Sequence, residues 1–141
     1  DIDNFKEIND NLGHITGDHV LMKIGALLRQ QFSGDTMIVR FGGEEFAVLV
    51  PHCTLAEAQD QLENLRRGIE ALRPFDIQIT ASIGAACTAD HPSANMTKLL
   101  ALADSALHAA KGAERNCVYI YTEQGPRRLT TAWGERQPIL V

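Results

Sequence analysis

The chain is short of the features that mark several large protein classes. Its 141 residues hold no apolar run near the ~20 residues that a membrane-spanning helix needs. The opening stretch, DIDNFKEIND, is polar and lacks the apolar core of a secretory leader. Basic charge is in deficit: 13 Lys and Arg stand against 18 Asp and Glu, a formal net charge of −5. Non-specific nucleic-acid binding needs a basic surface, so that class is disfavoured. A local basic cluster or a metal can still hold the phosphates of a small nucleotide on an acidic protein. Only three cysteines occur, Cys53, Cys87 and Cys117, widely spaced and without a C-x-x-C pair. Cys87 and Cys117 lie in apolar, strand-like runs, the pattern of buried free thiols in a reducing compartment rather than of a disulfide framework. None of the five histidines has H-x-x-x-H spacing, which argues against zinc. No internal repeat is visible.

What is present suits one domain with a single core: 45% hydrophobic and 22% charged residues. Residues 1–3 read as the exit of a strand, so the expectation is that an N-terminal portion precedes them. A short helix is expected over 4–10, with Phe5 and Ile8 on one face, then a glycine-marked loop over 11–17. From 18 to 32 the apolar residues Val20, Leu21, Ile24, Leu27, Leu28 and Phe32 recur at the helical period. Two short apolar runs, 37–41 and 46–50, flank Gly42-Gly43-Glu44-Glu45 and predict a β-hairpin. Thr54-Leu55-Ala56-Glu57 is a capping-box signature opening a helix to Leu72, which Pro74 stops. A strand is expected over 77–88, with Gly84 marking a bulge or a close backbone approach. A loop over 90–95, a helix over 97–111 and a last strand over 118–121 follow. Residues 122–141 have no clear period and read as a flexible tail or linker behind a domain of residues 1–121. This order of helices and hairpins predicts an α+β fold with a mixed or antiparallel sheet.

Two constellations could carry chemistry. Asp1 and Asp3 straddle Ile2, so on a strand both carboxylates face one side while Ile2 faces the core. Mg²⁺ prefers hard oxygen ligands and commonly binds through one or two carboxylates plus substrate phosphates. Alone, a D-x-D pair is weak evidence and more often marks a solvated strand end. The second constellation is the hairpin tip. Gly42 and Gly43 permit positive φ and close approach of backbone to a ligand, and Glu44 and Glu45 follow directly. A solvated turn is the plainer reading of that tip.

Ordered motifs tip the balance. Phe41-Gly42-Gly43-Glu44-Glu45-Phe46 resembles the GGDEF family signature in its GGEEF form. The segment from Asp1 to Asp10 resembles that family's D-x-D-x-F-K-x-I-N-D, and Gly13-His14 with Gly17-Asp18 its G-H-x-x-G-D. Arg40 stands where the family keeps an arginine before the tip. Ser82-Ile83-Gly84 is similar to its S-I-G strand. Ala103-Asp104, Ala106-Leu107, Ala110-Lys111 and Arg115-Asn116 follow its A-D-x-A-L-Y-x-A-K-x-x-G-R-N. The resemblance runs to about Tyr121. It implies a diguanylate cyclase, which joins two GTP into cyclic di-GMP and pyrophosphate. The implied fold is α+β, a central, mostly antiparallel sheet flanked by helices, like the polymerase palm and nucleotide cyclases.

The resemblance also implies roles. Asp1, the carbonyl of Ile2 and Glu44 would bind the metal, two Mg²⁺ ions with Mn²⁺ as an alternative. Glu44 or Glu45 would accept the hydroxyl proton, the sequence leaving both open. Lys6 and the backbone N–H groups of Asn4 and Phe5 would cradle the β and γ phosphates beside Gly42 and Gly43. Lys111 and Arg115, four apart, would share a helix face on the triphosphate if the helix continues; a charge answering the helix dipole is the plainer alternative. Asn9 and Asp18 would read guanine, whose imino and amino groups are donors that suit an acceptor-only carboxylate. His14 would be a substrate contact or a loop cap. A symmetric product from two GTP implies a homodimer, and GTP with reduced cysteines implies the cytoplasm.

The pattern is departed from in places. The family's R-x-x-D inhibitory motif would fall at 33–36, where Ser33 and Thr36 stand, so that site is expected to be absent. His108 replaces a Tyr and Glu114 a Gly, both expected to be peripheral. The strand and helix that the family keeps before Asp1 are expected to matter for stability. The alternative function is a catalytically weak domain that binds GTP or cyclic di-GMP as a receptor.

Overall fold

The computed structural model describes residues 1–130. Four helices are present: α1 (Phe5–Leu12), α2 (His14–Gln31), α3 (Leu55–Leu72) and α4 (Met96–Gly112). Five strands accompany them: β1 (Met37–Arg40), β2 (Phe46–Leu49), β3 (Ile83–Ala86), β4 (Val118–Thr122) and β5 (Gly125–Arg128). A 3₁₀ turn, Pro74–Asp76, follows α3.

The loop expected over 11–17 is nearly absent. α1 runs on to Leu12, and α2 begins at His14, leaving Gly13 alone at the corner with φ 84°. Glycine is the residue that reaches this conformation without steric cost. The corner is then tied by the Thr16 hydroxyl, which donates to the Leu12 carbonyl at 2.8 Å. α2 turns Val20, Leu21, Ile24 and Leu28 inward, as their spacing predicted. α3 opens on the expected capping box: Thr54 Oγ1 accepts from the Glu57 N–H, and the Glu57 carboxylate accepts from the Thr54 N–H.

The hairpin forms as expected, with Met37 opposite Leu49 and Arg40 opposite Phe46. The strand expected over 77–88 is regular only from Ile83 to Ala86, where it pairs in parallel with β4. Upstream, Ala81 makes a single antiparallel bridge to Ile2. Residues expected in a tail form β5, which pairs antiparallel with β4 and sets Tyr121 opposite Pro126. Proline is tolerated there because it lies on an edge strand. The rest of the expected tail, 131–141, lies outside the described residues. The fold is thus α+β and mostly antiparallel, with its sheet in two pieces of two and three strands. Ile2 joins them: its N–H donates to the Glu44 carbonyl at 3.3 Å on one side, and it bridges Ala81 on the other.

Ile2, Val20, Ile24, Leu28, Leu65, Ile69 and Ile79 form the core between α2, α3 and the sheet. Each such burial contributes roughly 1.5–3 kcal/mol. Cys117 is buried, Cys53 and Cys87 are half-buried, and all three are free thiols. Burial pushes the thiols of Cys53 and Cys117 up, which keeps them protonated.

Asp3 locks the N-terminal segment in place. Its carboxylate accepts from the hydroxyls of Thr80 (2.7 Å) and Ser82 (2.6 Å) and from the Asn116 N–H (3.0 Å). Beyond α4 the backbone is left-handed at three successive residues, Glu114, Arg115 and Asn116, with φ of 52°, 58° and 43°. Glu114 is exposed, and it occupies a conformation that suits glycine, the residue the family pattern has there.

Two stability outcomes follow from this packing. Gly84 lies against α4 so closely that a Cβ would sit 2.2 Å from the Ala103 carbonyl oxygen and the Leu107 nitrogen. Gly84→Ala is expected to cost about 3 kcal/mol in urea unfolding; wild-type stability would show that α4 can lift off β3 freely. Glu114→Gly is expected to stabilise by about 1 kcal/mol by relieving backbone strain, and a lower melting temperature would contradict that.

Candidate functional site

The hairpin tip is held from within. Arg40 ends β1, and its guanidinium donates to the carbonyls of Gly42 (3.1 Å) and Gly43 (2.7 Å from Nη2). The Phe41 N–H closes the loop onto the Glu45 carbonyl at 2.8 Å. Neither Gly42 nor Gly43 uses the positive φ that their type permits. Gly42 instead matters for space: a Cβ there would lie 3.0 Å from Glu45 Oε2. Glu44 is half-buried beside Ile2, and Glu45 is exposed.

Asp1 and Ile2 supply the neighbouring oxygens. The Asp1 carboxylate is only 6% exposed and pairs with Lys111 Nζ at 2.8 Å. Ile2 is 2% exposed, and no hydrogen-bond donor among the described residues meets its carbonyl oxygen. An unsatisfied buried carbonyl costs free energy unless a ligand answers it. Among the described residues no three His, Cys, Asp or Glu side chains converge as a ready metal cluster. Two carboxylates and one carbonyl still fit Mg²⁺, which takes few protein ligands and completes its octahedron with water and phosphate. A cavity of about 310 Å³ opens here, lined by Glu45, Asp104, Ser105, Leu107, His108 and Lys111.

α1 presents its N-terminus to the same end of the molecule as Asp1–Asp3, which it follows directly. Asn4 adopts a left-handed conformation (φ 54°) at the cap and leaves its side chain unbonded to the helix. Among the described residues, the N–H groups of Asn4, Phe5 and Lys6 find no acceptor, the arrangement that attracts anions to helix N-termini. Phe5 anchors this turn in the core, while Lys6 is exposed and makes no ion pair among the described residues.

Asn9 and Asp18 lie on either side of the α1–α2 corner. Gly17 is the reason they can: a Cβ at Gly17 would fall 1.9 Å from Asn9 Oδ1. The glycine makes room for the Asn9 side chain, directly beside Asp18 in sequence. His14 is exposed in the first turn of α2 rather than in a loop.

Lys111 and Arg115 do not share a helix face. α4 ends at Gly112, so the expected four-residue spacing on one helix is broken by the left-handed turn. Lys111 reaches Asp1 from the last turn, whereas Arg115 is exposed on the turn itself.

The structure thus gathers Asp1, Ile2, Glu44, Glu45 and Lys111 at one place, and Asn9 with Asp18 at the helix corner. The sequence motifs named Ser82 and Asn116 without assigning them a role and did not include Thr80; the hydroxyls of Thr80 and Ser82 and the N–H of Asn116 hold Asp3. The signal was small: a Thr-x-Ser alternation puts both hydroxyls on one strand face.

Comparison with known proteins agrees with this geometry. A family model described as diguanylate cyclase, GGDEF domain, matches residues 1–117. The Escherichia coli (strain K12) diguanylate cyclase DosC is 35% identical over 126 residues, covering 86% of this chain and 27% of that protein. The chain thus spans about a quarter of that relative's length. The active GGEEF domain of a diguanylate cyclase from Vibrio cholerae superposes with a TM-score of 0.79 at 31% identity, over 86% of this chain and 78% of that one. The GGDEF domain of DgcB from Caulobacter crescentus, solved in complex with c-di-GMP, gives 0.77 at 31% identity, over 85% and 73%. With the signature hairpin, the acidic N-terminal segment and the fold in agreement, the chain belongs to the GGDEF family of diguanylate cyclase domains.

Proposed function

We propose that this domain condenses two GTP into cyclic di-GMP and pyrophosphate, working as a homodimer in the cytoplasm. The observation that carries the reading is the buried Ile2 carbonyl without a donor, set between the carboxylate-bearing residues Asp1 and Glu44. Asp1, the Ile2 carbonyl and Glu44 would hold Mg²⁺, or Mn²⁺ in its place, which when bound would supply charge neutralisation at the phosphates and acidify the attacking hydroxyl.

The chain's own residues do the rest. The open N–H groups of Asn4 and Phe5, with Lys6, hold the β and γ phosphates from one side. Lys111 and Arg115 hold them from the other, which requires Lys111 to leave Asp1. The glycines at 42 and 43 let the tip approach the nucleotide without side chains in the way. Asn9 and Asp18 accept from the guanine edge, and the carboxylate repels the ring acceptor that adenine offers there.

In each half-reaction the 3′-oxygen of one GTP forms a bond to the α-phosphorus of the other. The bond to pyrophosphate breaks, its electron pair leaves with pyrophosphate, and the hydroxyl proton passes to Glu44 or Glu45. Glu45, exposed and facing the cavity, is the more accessible; Glu44 is also needed as a ligand. Repeating the step with the roles reversed closes the ring. Each domain carries one GTP, so a two-fold pair is needed to bring the two together. Most of the catalysis is positioning and charge neutralisation.

Incubation with GTP and Mg²⁺, followed by chromatography, is expected to give cyclic di-GMP and pyrophosphate. Product absent while GTP binds in a Mg²⁺-dependent way would favour a nucleotide receptor instead. Glu44→Ala is expected to lower kcat on the order of 10²-fold or more at unchanged melting temperature. Full activity in that variant would remove Glu44 from the metal.

A further inference from the structure

Three successive left-handed residues without a glycine are costly for L-amino acids, and they persist only where the surroundings over-determine them. The turn at Glu114, Arg115 and Asn116 is tied to α4 by the Arg115 N–H, which donates to the Ala110 carbonyl at 3.3 Å, and to the rest of the molecule through Asn116. Its N–H donates to Asp3 Oδ2 at 3.0 Å, its Nδ2 donates to Glu70 Oε1 at 3.0 Å, and its Oδ1 accepts from Arg66 Nη1 at 2.9 Å. Arg66 lies fifty positions away on α3, with its side chain only 15% exposed. Three further donors go to Glu63, at 3.0 Å from Nε and 2.8 Å from Nη2, and to Glu70 at 2.9 Å. Hydrogen bonding to Arg66 holds the carboxyls of both glutamates below their ordinary range, so the network stays charged near neutral pH. One planar guanidinium therefore fixes an asparagine that also touches Asp3, the neighbour of the metal-fitting Asp1 and Ile2. Arg115 sits inside the turn so fixed, and its side chain has no partner among the described residues.

We propose that Arg66 is a positioning residue for the triphosphate: through Asn116 it sets the left-handed turn that aims Arg115 at the β and γ phosphates. The inference rests on the nucleotide reading above and adds to it a residue remote from the ligand. Lysine cannot replace the fork, because a single ammonium lacks the geometry to hold Glu63, Glu70 and Asn116 together.

The test is a double-mutant cycle on the whole chain with Mg²⁺, measuring affinity for a non-hydrolysable GTP analogue and for GMP, which lacks the β and γ phosphates. Arg115→Ala and Arg66→Lys are each expected to weaken the GTP analogue about tenfold and to leave GMP unchanged. Combined, they are expected to cost no more than either alone, because they act through one contact. Where Arg66→Lys does not fold, Asn116→Gly carries the same expectation: it keeps the left-handed backbone and loses both side-chain bonds. Multiplying losses, or equal losses for GMP, would overturn the proposal and leave Arg66 a support of the fold. Wild-type protein that binds neither nucleotide overturns the nucleotide reading with it. Wild-type binding with an unaffected Arg66→Lys overturns this proposal alone.

Discussion

A buried carboxylate must be met by donors, or it costs several kcal/mol. Asp3 meets this demand with three, drawn from Thr80, Ser82 and Asn116. These belong to two stretches of chain that are otherwise distant: the segment leading into β3 and the turn after α4. Satisfying one side chain therefore fixes where the N-terminal segment, the sheet and the C-terminal end of α4 meet. Ile2 is pressed into the core as a result, and its carbonyl is left without a ladder partner among the described residues. Lys111 arrives beside Asp1 by the same constraint. The chemistry at this end of the molecule thus depends on a residue that takes no part in it.

The elements whose signals are local were readable in advance. The hairpin, the Thr54 capping box, the inward stripe of α2 and the close approach at Gly84 follow from nearest neighbours and period. The misread elements obey longer-range terms. His14-Ile15-Thr16 shows no apolar period, and the helix begins there because Gly13 supplies the corner and Thr16 ties it to Leu12. Gly-Pro-Arg-Arg has no strand character of its own, yet it pairs because β4 offers an edge. The turn at 114–116 is opaque because Glu and Arg do not favour left-handed backbone; Arg66, Glu70 and Asp3, far off in sequence, supply most of the bonds that hold it. The acidic tip, by contrast, was legible, but for the wrong geometric reason, since its glycines do not adopt positive φ.

Part of the charge at the site is already paired within the chain. Asp1 and Lys111 neutralise each other at 2.8 Å, and Arg40 is spent on the carbonyls of the tip. Without ligand, these charged groups answer partners within the protein. On the proposed reading, a magnesium nucleotide exchanges partners rather than adding charge: the cation goes to Asp1 and the phosphates to Lys111.

On the proposed reading of Asn9 and Asp18 as the guanine pair, the one-residue corner at Gly13 and the missing side chain at Gly17 bear on base choice. Asn9 fills the space that a Cβ would take, so its orientation is set by packing before any ligand arrives. Recognition through a pre-organised Asn9 would forfeit little entropy on binding, and that side chain would adapt poorly to a different donor and acceptor order. A lineage drifting toward another purine would have to repack the helix corner, not merely exchange Asp18. Selectivity is in this sense written into the backbone.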